Sequence, residues 1–118
     1  MAKQIGETRV HTYQVGAAGQ ITARITIGQG QHGGWAAFLD DKLLGKGSKP
    51  RDLKLGASAR LKGHRLVVNS VVMDVRRETN RLSVSTLLKG GAKQLRAAHE
   101  HVGDAGASAN YVTVVIFI

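Results

Sequence analysis

Residues 65–75 read Arg-Leu-Val-Val-Asn-Ser-Val-Val-Met-Asp-Val, and the fold turns on how they are interpreted. Val dominates, no Gly or Pro interrupts, and the aliphatic side chains fall on both faces of an extended chain. That is the composition of a central strand covered on two sides or twisted between sheets. Beyond the polar residues 76–80 the chain returns as 81–88, where Leu82, Val84, Thr86 and Leu88 share one face. The two stretches are expected to pair as an antiparallel hairpin in the sheet interior. Leu66, Val68, Val72, Val84 and Leu88 are then its buried residues.

Working back toward the N-terminus, residues 20–27 alternate Ile21, Ala23, Ile25 and Ile27 with Thr22, Arg24 and Thr26. This period of two sends one face inward and the other to water. Residues 8–15 are also rich in strand formers, and 16–19 (Gly-Ala-Ala-Gly) is expected to join the two as a hairpin. A Gly-rich loop, 28–34, leads into Trp35-Ala36-Ala37-Phe38-Leu39, and Asp40-Asp41 turns the chain back through 42–45. The single proline, Pro50, lies in the next loop, where no ladder hydrogen bond is lost. A short strand, Leu53-Lys54-Leu55, follows.

Toward the C-terminus, Leu95, Ala98 and Val102 recur at three- and four-residue spacing, which predicts a short helix over 93–102. Residues 103–109 read as a loop of small residues, and 111–118 as a last strand paired into the sheet. Taken together, 118 residues form one domain, 1–118. Its expected class is all-β, an antiparallel β-sandwich of about seven or eight short strands. Fifteen glycines against one proline suit many tight turns.

With no cysteine in the chain, disulfides, thiolate nucleophiles and cysteine zinc sites are excluded. That absence, with no apolar stretch of signal-peptide or membrane-spanning length, gives a cytoplasmic expectation. No serine stands in a Gly-x-Ser-x-Gly elbow, and the glycines of 28–34 lack the spacing of a phosphate loop. His99 and His101 would share a face if extended, but no third ligand is set by sequence. They read as an exposed pair in a loop, and neither a metal nor a cofactor is expected. Asp74 precedes the 76–80 turn and Glu78 lies within it, a candidate carboxylate pair, with Asp74 expected to cap the turn or pair with an arginine.

The net charge is +9, and it is unevenly placed. Residues 42–96 hold 14 of the 17 Lys and Arg and only 3 of the 8 Asp and Glu. Lys46, Lys49, Arg51, Lys54, Arg60 and Lys62 are therefore expected to form one positive surface that attracts acidic partners. The functional expectation is a non-catalytic binding module docking an acidic or polar partner, a protein first, through these residues. One alternative is a nonspecific nucleic-acid binder using the same surface, although the five aromatics all sit in strand-like segments and leave few stacking platforms. Another is a carbohydrate-binding sandwich in which Trp35, beside the Gly-rich loop, faces out.

Overall fold

A computed structural model describes residues 4–28, 31–75, 80–103 and 106–118. Within them lie nine strands: β1 (Gln4–Tyr13), β2 (Gln20–Ile27), β3 (His32–Leu39), β4 (Lys42–Gly47), β5 (Arg51–Ala57), β6 (Arg65–Met73), β7 (Arg81–Lys89), β8 (Leu95–Val102) and β9 (Ser108–Phe117). A 3₁₀ turn, Ser58–Arg60, separates β5 from β6. Five strands form one sheet in the order β1-β9-β6-β3-β4, and four form the other in the order β5-β2-β7-β8. The sheets pack face to face as a sandwich. Among the described residues no helix is long and apolar enough to cross a membrane.

Period-two burial builds the core. On β2, Ile21, Ala23 and Ile25 point inward and are fully buried. On β6 the inward residues are Leu66, Val68, Ser70 and Val72, and on β7 Leu82, Val84, Thr86 and Leu88. All five residues expected to be buried from the 65–75 and 81–88 reading are at most 2% exposed. Burying each removes apolar surface from water, the dominant favourable contribution to folding.

The pairing differs from expectation. β6 and β7 do not form a hairpin: β6 lies between β3 and β9, and β7 lies between β2 and β8 in the opposite sheet. The chain crosses between sheets after β6, so the two strands face each other through the core. Asp74 accepts a hydrogen bond from Gln31 Nε2 at 3.0 Å near the start of this crossing, while 76–79, including Glu78, lie outside the described residues. Likewise β1 does not pair with β2. It pairs in parallel with β9, Gln4 opposite Ser108 through Tyr13 opposite Phe117, and 16–19 carries the chain from one sheet to the other. A short connection favours a hairpin only when both strands need the same sheet, and here each hides its inner face against a different one.

The segment 95–102 is strand β8, not a helix. Ala97 and His99 are buried while Arg96 and Glu100 are exposed, a period of two that the three- and four-residue spacing of Leu95, Ala98 and Val102 masked. The β3–β4 hairpin is as expected. Asp40 closes it with φ +52°, a left-handed conformation that a short polar side chain tolerates. Truncating Val84 to alanine is expected to cost about 1–3 kcal/mol through lost burial and a residual cavity. Urea unfolding would check this as a lower midpoint with an unchanged slope.

Candidate functional site

The two outer faces of the sandwich differ in chemistry. On the four-stranded sheet, cross-strand register sets Lys54, Thr22 and Lys89 in one outward row and Asp52, Arg24, Leu87 and Arg96 in the next. Each alternates with a buried residue, which is why it faces water. Arg24 pairs with Asp52 at 3.2 Å and Arg81 with Glu100 at 3.3 Å, both exposed. Lys54, Lys89 and Arg96 make no ion pair with an acid among the described residues.

This face continues onto the side formed by edge strands β4 and β5. Lys49 and Arg51 lie at the connection between them, exposed, and the Arg51 guanidinium lies beside Gly45 of β4. Lys46 is exposed on β4, opposite Ala36. Of the six residues expected to form a positive surface, the structure brings Lys49, Arg51 and Lys54 along one side, whereas Lys46 faces out from the five-stranded sheet and lines a groove there. Arg60 instead lines a cavity of about 760 Å³ at one end of the sandwich, together with Asp40, Asp41, Lys42 and His64. Lys62 follows Arg60 in the turn leading to β6.

Trp35 is 4% exposed and therefore offers no platform to a sugar. Its indole N–H donates to the carbonyl of Lys49 at 3.1 Å, so it holds in place the connection that presents Lys49 and Arg51. Only the glycines of 28–34 had suggested an exposed tryptophan. His32–Gly34 already belong to β3, Gln31 is buried, and 29–30 lie outside the described residues. Residues 104 and 105 of the second small-residue loop are also outside them, while Ala107 is fully buried.

The opposite side, where β1 and β8 are the edge strands, holds a polar cluster that the sequence did not reveal. His99 is 1% exposed, correcting the expectation of an exposed loop pair. Its Nδ1 lies 2.6 Å from Glu7 Oε1 and its Nε2 2.9 Å from Thr113 Oγ1, while its ring stacks on Tyr111 at 4.7 Å. His101 reaches Glu7 Oε2 at 3.2 Å and the Tyr111 hydroxyl at 3.0 Å. Burial lowers the proton affinity of His99 and outweighs the hydrogen bond and charge of Glu7, which raise it. Burial also opposes ionisation of Glu7, but the bonds from His99 and Arg9 and the charge of His101 leave its carboxyl below the usual range. The neutral His99 ring thus donates from Nδ1 to Glu7 and accepts at Nε2 from Thr113. Burial, with the charges of Glu7 and Glu100, pushes the Tyr111 phenol up to about 12, keeping it a donor to the Leu82 carbonyl.

Both His99 nitrogens are engaged inside the protein, so this imidazole has no nitrogen free to meet a substrate. A second acid–histidine pair, Asp40 with His64 at 2.6 Å, sits half-exposed beside the end cavity. Among the described residues, none that lines that cavity carries a hydroxyl or thiol nucleophile. Asp40 also accepts from the Arg65 backbone N–H, which fastens the β3–β4 turn to the start of β6. No group of three or more His, Cys, Asp or Glu arranged to hold a metal occurs among the described residues. No protein-family model, curated protein or solved structure matches this chain.

Proposed function

We propose that this protein is a non-catalytic binding module that docks an acidic partner protein on the outer face of its four-stranded sheet and the adjoining β4–β5 side. The observation that carries this reading is the convergence of Lys54, Lys89 and Arg96, without acidic partners, beside Lys49 and Arg51. Cations fixed on strands present a preset array and lose less freedom on binding than cations on a flexible tail. Nucleic acid is the weaker occupant because Tyr13, Trp35, Tyr111 and Phe117 are all buried and leave little on which to stack a base.

Polyglutamate is a suitable probe. It is expected to bind, with affinity falling at least ~10-fold between low and physiological salt as screening shortens the field. Reversing two charges together, Lys54→Glu with Lys89→Glu, is expected to abolish most of that binding without altering the circular dichroism spectrum. Polyglutamate binding that ignores both salt and the double reversal would overturn the proposal. Tighter binding of duplex DNA than of polyglutamate would transfer the surface to nucleic acid.

A further inference from the structure

We infer that the outer face of the five-stranded sheet is the interface of a homodimer, in which a second copy of this chain packs sheet against sheet. Cross-strand register places Val10, Val114, Val67, Phe38 and Leu43 in one outward row that crosses all five strands. Val10 is 61% exposed and Leu43 47% exposed, so in the single chain this row is an apolar ridge in water. Beside it runs a groove of about 910 Å³ with Gly34 and Ala36 among its lining and Asn69, Val71 and Val112 along it. Among the described residues, only Lys46 and Arg65, at the margins, bring formal charge to the outward residues of this face. The contrast with the opposite sheet is sharp in a chain of net charge +9.

These features select a second copy as the occupant. A two-fold interface must be complementary to itself. Here a ridge and a groove lie side by side, so an axis near Asn69 on the central strand β6 seats the ridge of each copy in the groove of the other. Five strands about 4.8 Å apart and about eight residues long span roughly 24 by 26 Å, a footprint of ~600 Å² before side-chain relief is counted. That approaches the ~800 Å² per partner of a stable interface. Facing sheets pack at about 10 Å with strands within about 30° of each other, a geometry that small residues opposite a valine ridge allow. A face almost cleared of charge also lets two strongly positive chains meet without opposing their lysines and arginines. The aliphatic residues on both faces of β6 have the same explanation, one set covering the core and the other the partner.

Sedimentation equilibrium over low to hundreds of micromolar protein tests this. The expected species has twice the 12.6 kDa of the chain and is insensitive to salt, unlike the proposed docking of an acidic protein on the other sheet. Val67→Glu, and separately Val10→Glu, is expected to raise the dimer Kd ~30-fold or more, the size of a hot-spot effect. Both positions face outward, so the circular dichroism spectrum should not change. Leu87→Glu, on the charged sheet, should leave the dimer intact. Because the chain has no cysteine, Asn69→Cys gives one thiol per chain, expected to cross-link the pair on oxidation. A 12.6 kDa species throughout overturns the inference, as does a dimer unmoved by both valine variants or dissociated by Leu87→Glu. A folded monomer whose valine face is covered only by a different protein overturns it too.

Discussion

Replacing Gly90 with alanine is expected to lower stability by about 2–5 kcal/mol, a large share of the ~5–15 kcal/mol that holds a domain folded. Gly90 has φ +97°, a conformation that costs a residue with a Cβ about 1–2 kcal/mol. The added carbon would also stand 1.9 Å from the carbonyl oxygen of Gln20 and 3.1 Å from Cα of Ile21. Those are backbone atoms at the start of β2, which cannot retreat without disturbing its pairing with β5 and β7. Overpacking of this kind typically adds 1–3 kcal/mol or more. The neighbouring turn gives no slack, because Gly91 N–H donates to the Tyr13 hydroxyl and Ala92 N–H to the Gln14 carbonyl.

Gly63→Ala is the matched control. Its φ is +88°, and nothing lies within 4 Å of the added carbon, so only the conformational cost of about 1–2 kcal/mol applies. Urea midpoints for the two variants separate the contributions. A Gly90→Ala loss no larger than that of Gly63→Ala would mean that the start of β2 yields, and the steric argument would fail.

Much of the fold was legible in the sequence because burial follows from a local pattern. Period-two alternation at 20–27 and 81–88 identified which side chains enter the core. Register and sheet membership did not follow, since they depend on strands far apart in the chain. The β1–β9 pairing is parallel and joins the two ends, so no turn residue announces it. The basic surface was half legible for the same reason. Lys49 to Lys54 are close enough in sequence to be seen together, whereas Lys89 and Arg96 reach the proposed surface only through β2 and β7. The polar cluster was illegible because Glu7, His99 and Thr113 lie on three strands from two sheets. Apolar residues on both faces of 65–75 led to an expectation of cover on two sides, whereas within the chain the strand is covered on one side and Val71 and Met73 stand exposed on the other.

Replacing His99 with alanine is expected to cost about 2–4 kcal/mol, because it empties a buried site and leaves the buried Thr113 hydroxyl without its acceptor. Three groups lose their contact at once. The Glu7 carboxylate, 21% exposed, loses its shortest hydrogen bond, the buried Thr113 hydroxyl loses its acceptor, and the Tyr111 ring loses a stacked neighbour. The same residue predicts how stability responds to acid. Burial keeps His99 neutral in the fold, whereas in the unfolded chain it takes up a proton near pH 6.5. The unfolded state then binds more protons, so stability falls as pH drops below about 6.5. Glu7, whose folded carboxyl sits below its ordinary 4.5, contributes stability that is present above that value and lost as pH falls through the folded one. Acid should therefore act in two stages, the first belonging to His99. Urea midpoints measured between pH 7.5 and 5.5 should decline in the native protein and stay flatter in His99→Gln, which keeps a polar side chain without a proton to gain. Equal slopes in the two proteins would assign the acid sensitivity to groups other than His99.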